Sequence, residues 1–171
     1  MGRGDYVFSD KINHASIVDG CLMSGAEFRR YRHNDLAHLE GLLKNAPAEV
    51  AKLVVADSVF SMDGDIIDLP KMVELCKKYN AWLMIDEAHS LGVLGKTGRG
   101  IEEYFGMDGD VIDIKMGTLS KTIPSVGGYV AAKSEIITYL RHASRAYIFS
   151  AALPPAQAAA ANEAFKVILD E

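Results

Sequence analysis

Cysteine is scarce in this chain, since Cys21 and Cys76 are the only two among 171 residues. Both lie in segments whose apolar residues recur at helical spacing, which predicts reduced thiols in the core of a cytoplasmic protein rather than a disulfide or a metal site. Long apolar runs are also missing, because none approaches the roughly 20 residues that span a bilayer. The first residues, MGRGDYVFSD, lack the apolar core of a signal peptide. We therefore expect no membrane span and no bound metal.

Positive charge is in deficit as well. The chain has 18 lysine and arginine residues against 23 aspartate and glutamate residues, a formal net charge of -5. This balance argues against nucleic acid or an anionic membrane as the main partner. With 49% hydrophobic and 24% charged residues, the composition is typical of a globular protein. The length suits one domain with a substantial core.

Strand patterns alternate with helix patterns along the chain. Asn34 or Asp35 is positioned to cap one helix, and Asp68 with Pro70 to begin another. Strands separated by helices predict an α/β fold with three layers, in which helices flank a mostly parallel sheet. Further helices are predicted at HASIVDGCLMSG, SEIITYLRHASRA and PPAQAAAANEAFKVILDE. Strands are predicted at DYVFSD, AEFRRYRH, KLVVADSVF, AWLMID, VIDIKMG and GGYVAAK.

Two segments resemble ligand-binding loops but lack the required spacing. MDGDIIDL (Met62 to Leu69) nearly recurs as MDGDVIDI (Met107 to Ile114), yet neither copy has the glycine and glutamate positions of a calcium loop, so both are interpreted as turns. GVLGKTGRG (Gly92 to Gly100) contains Gly-Lys-Thr, but Ser90 stands where a phosphate loop needs its first glycine. Arg99 is interpreted as part of a structural turn, and His33, His38 and His142 as surface residues.

The stretch GTLSK (Gly117 to Lys121) places a lysine directly after a predicted strand, and Asp86 ends another predicted strand. In parallel α/β sheets, ligands bind at the carboxyl ends of the strands. A lysine there can form a Schiff base with a carbonyl, and a carboxylate can keep a pyridine nitrogen protonated in a pyridoxal phosphate site. A structural carboxylate and a solvated lysine explain these two residues equally well.

The order and spacing of five motifs resemble the α-oxoamine synthase family, whose members are pyridoxal-phosphate enzymes with the aspartate aminotransferase-type fold. The resemblance extends over essentially the whole chain. It implies that the chain is an incomplete large domain of that fold. The motifs are NHAS (Asn13 to Ser16), VFSMDGD (Val59 to Asp65), DEAHSLGVLGKTGRG (Asp86 to Gly100), GTLSK (Gly117 to Lys121) and GGYVA (Gly127 to Ala131).

The resemblance also implies a role for seven residues. Lys121 corresponds to the Schiff-base lysine, Asp86 to the partner of the pyridine nitrogen, and His14 to the histidine that stacks on the cofactor ring. His89 and Ser61 correspond to the residues near the ring hydroxyl. Thr118 corresponds to a phosphate ligand, and Ser150 to a residue that reaches the phosphate of the neighbouring subunit in a homodimer with a shared active site.

The sequence departs from the family pattern in two respects. Ile123 and Pro124 stand where many members have phenylalanine and glycine, and proline removes an amide and fixes φ, so we expect a different loop path after Lys121. The upstream phosphate loop and the C-terminal small domain have no counterpart, so residues 1–171 are expected to be a central fragment of a longer enzyme. Incomplete neighbours would leave a strand such as KLVVADSVF or AWLMID at an open edge or under an uncovered face.

By resemblance, the parent enzyme is an acyltransferase that joins an amino acid to an acyl thioester with loss of carboxylate, giving an aminoketone. The fragment alone is expected to be weak or inactive. Two alternatives stay open. One is an aminotransferase or lyase of the same fold, and the other is an inactive fragment that serves as a folding or partner unit.

Overall fold

A six-stranded sheet lies at the centre of the protein in the computed structural model, which describes residues 1–107 and 109–170. The strands follow the order β2-β1-β3-β4-β5-β6, and the first five are parallel while β6 runs antiparallel to β5. A mostly parallel sheet was predicted and is confirmed. The strands are β1 (Tyr6–Asp10), β2 (Glu27–Tyr31), β3 (Lys52–Asp57), β4 (Trp82–Asp86), β5 (Ile114–Thr118) and β6 (Gly128–Ala132).

The helices follow the predicted pattern with two differences. The segment SEIITYLRHASRA was predicted as one helix, but it is divided at Ser144, whose backbone is extended (φ -75°, ψ 107°). The short helix α4 was not predicted. The helices are α1 (Ala15–Ser24), α2 (Leu36–Asn45), α3 (Leu69–Lys78), α4 (Ile101–Tyr104), α5 (Ser134–Ala143), α6 (Arg145–Ile148) and α7 (Pro155–Asp170).

Aspartate side chains begin two of these helices. The Asp35 carboxylate accepts the backbone N–H of His38 at 2.8 Å, so Asp35 rather than Asn34 is the cap of α2. Asp68 accepts the backbone N–H of Lys71 in the same way, with Pro70 in the first turn of α3. Each cap satisfies one of the N–H groups that a helix start leaves without an internal partner.

Alternating strand residues cover the two faces of the sheet. Phe8, Val54 and Ile85 contribute to the larger core, which α2 and α3 cover with Leu39, Leu43, Met72, Val73 and Cys76. Val7 and Val55 point to the opposite face, where Cys21 of α1 packs against them. Helices therefore lie on both faces, as the three-layer prediction requires. Both thiols are free and buried, and burial raises the pKa of Cys76 to about 12.

The expected open edge is not formed by the most apolar strands. β3 and β4 lie in the middle of the sheet, and the edges of the described part are β2 and β6. β2 carries Glu27, Arg29 and Arg30, and charged side chains at an edge discourage pairing with another chain. On the α1 side, a cavity of about 350 Å³ remains beside Val55 and Met84, so this face of the sheet is incompletely covered.

The two loop-like segments are built from turns. In MDGDIIDL, Gly64 has a φ of 74° and donates its N–H to the carbonyl of Phe60 at 2.8 Å. Asp108, in the second copy of this repeat, lies outside the described residues. In GVLGKTGRG, the Glu103 carboxylate accepts the backbone N–H groups of Thr97 and Arg99. The helix that follows starts only at Ile101, after the whole segment.

No helix in residues 1–107 and 109–170 combines the length and apolar character needed to cross a bilayer. Over the same ranges, no group of three or more histidine, cysteine, aspartate and glutamate side chains is arranged to hold a metal ion.

His33 is not the surface residue that the sequence suggested. It lies half-buried in the turn before α2, with Nδ1 3.0 Å from Asp10 Oδ1 and Nε2 3.0 Å from Asp65 Oδ2. Its ring also meets the buried Phe60 edge to face, at 4.5 Å between centroids. Burial alone lowers the pKa of His33, but the hydrogen bonds with Asp65 and Asp10 outweigh burial and raise it. The imidazole thus joins the end of β1 to the loop that follows Phe60.

We predict that this bridge makes stability depend on pH. A raised pKa in the folded state means that the stabilisation by His33 is fully present below the unfolded value of 6.5 and is lost as pH rises through the higher folded value. The urea midpoints of wild type and His33→Gln should therefore differ more at pH 6 than at pH 9. Subtracting the midpoint of the variant from that of wild type at each pH cancels the contribution of titratable groups that the substitution does not affect. A difference that is the same at both pH values would contradict the bridge.

Candidate active site

A cavity of about 250 Å³, lined mainly by polar residues, lies where β3, β4 and β5 end. Because these strands are parallel, their carboxyl ends meet at one edge of the sheet, and Asp57 is paired in register with Asp86. Thr118 is the last residue of β5. The cavity is lined by His14, Ser16, Asp57, Ser61, Asp86, Ala88, His89, Met116, Thr118, Ser120 and Lys121.

The structure brings together six of the seven site residues singled out from the sequence, namely His14, Ser61, Asp86, His89, Thr118 and Lys121. Ser150 is exposed after α6 and is not among the residues that line this cavity. Its suggested contact is with a neighbouring subunit, and it stays a prediction. The chemical role of each of the other six also stays a prediction at this point.

Lys121 and His89 are in direct contact inside the cavity. Lys121 Nζ lies 2.6 Å from His89 Nε2. Burial and the positive charge of Lys121 both lower the pKa of His89. A lowered pKa favours the neutral imidazole, and in the tautomer with its proton on Nδ1 the Nε2 atom can accept a hydrogen bond from the Lys121 amine. A lysine held by a neutral base is well placed to exchange a proton with it.

Asp86 is fixed rigidly at the floor of the cavity. It is buried, and its Oδ1 accepts the backbone N–H of Ala88 at 2.8 Å. Its backbone carbonyl accepts the hydroxyl of Ser58 at 2.7 Å, and that hydroxyl lies 2.9 Å from Ser90 Oγ. These bonds hold the end of β4, so the Asp86 carboxylate lines the cavity from a defined position.

Two hydroxyl groups also line the cavity. Thr118 Oγ1 lies 2.8 Å from Ser120 Oγ, and both side chains line the cavity. Beneath them, Leu119 and Ile123 are buried against Ala161 of α7. Ile123 is completely buried, so the isoleucine that departs from the family pattern anchors the lysine-bearing loop to the core. Packing in this buried cluster thus accounts for isoleucine at position 123.

Sequence reasoning missed three polar residues of the cavity, Asp57, Ser16 and Ser120. Asp57 is buried and accepts the backbone N–H of His14 at 2.8 Å. Burial raises the pKa of Asp57 to about 6, the bond from His14 opposes this, and the nearby charge of Asp86 adds to it. One signal was available, because KLVVAD ends in aspartate just as WLMID does, and parallel strands align their ends.

The residues present fit pyridoxal phosphate. The cavity offers a primary amine from Lys121, a buried carboxylate from Asp86, an imidazole ring from His14 and the hydroxyl pair of Thr118 and Ser120. An amine matches an aldehyde, a carboxylate matches a pyridinium nitrogen, and hydroxyl donors match a phosphate.

Two curated proteins are similar to this chain over almost its whole length. A serine palmitoyltransferase of Bacteroides ovatus is 50% identical over 169 residues, covering 99% of this chain and 43% of that protein. An 8-amino-7-oxononanoate synthase of Geobacter sulfurreducens is 52% identical over 168 residues, covering 98% and 43%. The chain therefore spans less than half the length of the curated relatives it matches.

Solved structures show the same similarity. A serine palmitoyltransferase from S. paucimobilis with a bound PLP–myriocin aldimine superposes with a TM-score of 0.93 at 43% identity, covering 98% of this chain and 43% of that one. An 8-amino-7-oxononanoate synthase from Francisella tularensis gives a TM-score of 0.83 at 34% identity, covering 99% and 48%.

The agreement in fold extends from the first strand to the last helix. The sheet with its flanking helices matches the aminotransferase-type fold of these enzymes, of which it forms a part. The model of the family "Aminotransferase class I and II" matches residues 1–170. The chain belongs to the aminotransferase class I and II family.

Proposed function

We propose that this chain carries the cofactor site of a pyridoxal-phosphate-dependent α-oxoamine synthase. Such an enzyme is an acyltransferase that joins an amino acid to an acyl thioester with loss of carbon dioxide and forms an aminoketone. The observation that carries the proposal is the contact of Lys121 Nζ with His89 Nε2, at 2.6 Å, in the same cavity as the buried Asp86. The similarity to a serine palmitoyltransferase and to an 8-amino-7-oxononanoate synthase supports this reaction class.

Seven residues of the cavity are proposed to hold the cofactor. Lys121 Nζ would bond to the cofactor aldehyde with loss of water, and the Asp86 carboxylate would pair with the pyridine nitrogen. The exposed ring of His14 is flat and lies at the cavity wall, where it can cover one face of the pyridine ring. Ser61 and His89 are assigned to the ring hydroxyl of the cofactor, and Thr118 and Ser120 to its phosphate.

The cofactor, when bound, supplies an electron sink for the carbanion that forms on the amino acid. Asp86 holds the proton on the pyridine nitrogen, because a buried carboxylate with a fixed position stabilises the adjacent positive charge. Lys121 Nζ removes and returns the proton at the α-carbon once its amine is free. His89 Nε2 is close enough to Lys121 Nζ to orient it and to exchange its proton.

This chain is proposed to be one part of a longer enzyme. Because the chain covers 43% of its curated relatives, residues 1–171 are proposed to be part of the large domain, and the chain alone is proposed to be weak or inactive. A homodimer with a shared site is also proposed, in which Ser150 reaches the phosphate of the neighbouring subunit. Next to Ser150, Tyr147 and Phe149 are 65% and 76% exposed, as expected of residues that a second subunit covers.

We predict that Lys121 is the residue that binds the cofactor covalently. The full-length protein should be mixed with pyridoxal phosphate, reduced with borohydride and digested, and the cofactor should be found on the peptide that contains Lys121. Lys121→Ala should abolish the label, whereas Lys133→Ala, in the exposed loop before α5, should keep it. Label on another lysine in the wild-type protein would disprove this site.

We further predict the reaction type and the role of Asp86. With an amino acid and an acyl-CoA, the full-length protein should release carbon dioxide and an aminoketone. Asp86→Asn should lower kcat by about 100-fold or more, because an amide cannot hold the pyridinium proton. Asp19→Asn, an exposed position on α1, is the control for removal of a negative charge. A ketoacid as the product would instead indicate an aminotransferase.

A further inference from the structure

Asp57 is a buried carboxylate that lines the cavity, and the proposed chemistry gives it no role. It lies at the end of β3, is 7% exposed, and is paired in register with Asp86. Burial and the charge of Asp86 both disfavour its ionised form. A carboxylate kept in such a position at a cost in stability is a candidate for a functional role.

The carboxylate makes a single hydrogen bond among those found for the described residues, and it goes to the backbone of His14. His14 N–H donates to Asp57 Oδ2 at 2.8 Å. In return, the backbone N–H of Asp57 donates to the side-chain oxygen of Asn13 at 3.0 Å. Two reciprocal hydrogen bonds therefore join the end of β3 to the segment that enters α1. We call this pair of bonds, formed by Asn13, His14 and Asp57, the clamp.

Asn13 extends this clamp to a second strand. Its Nδ2 donates to the carbonyl of Val55 at 2.9 Å and to Ser9 Oγ at 2.8 Å. Asn13 is only 6% exposed, and Ser9 is completely buried. Hydrogen bonds that water cannot reach hold their geometry well, so the segment that enters α1 is tied to both β1 and β3.

The ring of His14 depends on this clamp because packing does not hold it. His14 is exposed, and its Nδ1 contacts Ser16, with Oγ at 2.8 Å and the backbone N–H at 3.3 Å. Ser16 thus sets the rotation of the ring, whereas the clamp sets the position of the backbone that carries it.

We propose that Asp57 is a positioning residue, which together with Asn13 fixes the backbone of His14 and so holds the imidazole over the cofactor ring. This inference rests on the proposed function for the part that concerns the cofactor. The clamp itself is a property of the protein without cofactor. The two parts can therefore be tested separately.

The first experiment measures hydrogen exchange in the full-length protein without cofactor. Asp57→Ala removes the acceptor, so amides in the peptide that contains His14 should exchange about tenfold faster or more. Asp57→Asn keeps an acceptor oxygen without the charge, and its exchange should stay close to wild type. Asn13→Ala should resemble Asp57→Ala. Asp35→Ala, which removes the equivalent carboxylate from the start of α2, is the matched control and should leave the His14 peptide unchanged.

The second experiment measures the visible circular dichroism of bound pyridoxal phosphate together with kcat/KM. Asp57→Ala should reduce both, whereas Asp57→Asn should retain most of each. In a His14→Ala background, Asp57→Ala should add less than a twofold further loss, because its effect passes through the ring that is already gone.

The outcomes separate the clamp from its alternatives. Wild-type exchange at His14 in Asp57→Ala would overturn the proposal, and so would a full additional loss in the His14→Ala background. If Asp57→Asn behaves like Asp57→Ala, the charge and not the hydrogen bond is what matters, which also overturns it. If the wild-type protein binds no pyridoxal phosphate, the proposed function fails, while the exchange experiment still decides on the clamp.

Discussion

The parallel, in-register pairing of β3, β4 and β5 is the constraint on which the candidate site depends. Pairing of Asp57 with Asp86, and of Asp86 with Met116, places the ends of β3 and β4 beside the last residues of β5. Each strand then delivers its next residues to the same cavity, although they are far apart in sequence. Lys121 meets His89 because the loop after β5 returns over the end of β4. A shift of one strand by a single residue would turn these side chains to the other face.

This arrangement brings several carboxylates together in positions that are buried from water. Asp57, Asp86 and Glu87 are all buried, and burial raises the pKa values of Asp57 and Glu87. Glu87 is not among the residues that line the cavity, and its carboxylate accepts the backbone N–H of Ile101. The Asp57 carboxylate accepts the backbone N–H of His14, and the Asp86 carboxylate accepts that of Ala88. Backbone N–H groups thus stabilise carboxylates that would otherwise be costly to bury.

Much of this could be predicted from local sequence, and the limits follow from distance along the chain. The buried runs of β3 and β4 and the aspartate caps of α2 and α3 were visible because their signals lie within a few residues of each other. The loss of helix at Ser144 has no glycine or proline to mark it. His33 was misjudged because its partners, Asp10 and Asp65, are 23 and 32 residues away. Asp57 ends its strand as Asp86 does, which was a local signal, but its contact with His14, 43 residues away, was not visible in the sequence.

The candidate site was found through a resemblance as much as through chemistry. Lys121 and Asp86 alone are equally consistent with a solvated lysine and a structural carboxylate. The motif order along the chain pointed to the family, and the fold then placed six of the seven residues around one cavity. Ser150 differs, because its suggested partner belongs to another subunit and no single chain can bring the two together.

The central claim is that this cavity holds pyridoxal phosphate between Lys121 and Asp86. A crystal structure of the full-length protein grown with pyridoxal phosphate tests it most directly. The account predicts continuous density from Lys121 Nζ to the aldehyde carbon of the cofactor, with the pyridine nitrogen within hydrogen-bonding distance of the Asp86 carboxylate. Cofactor bound elsewhere, or a pyridine nitrogen turned away from Asp86, would contradict it.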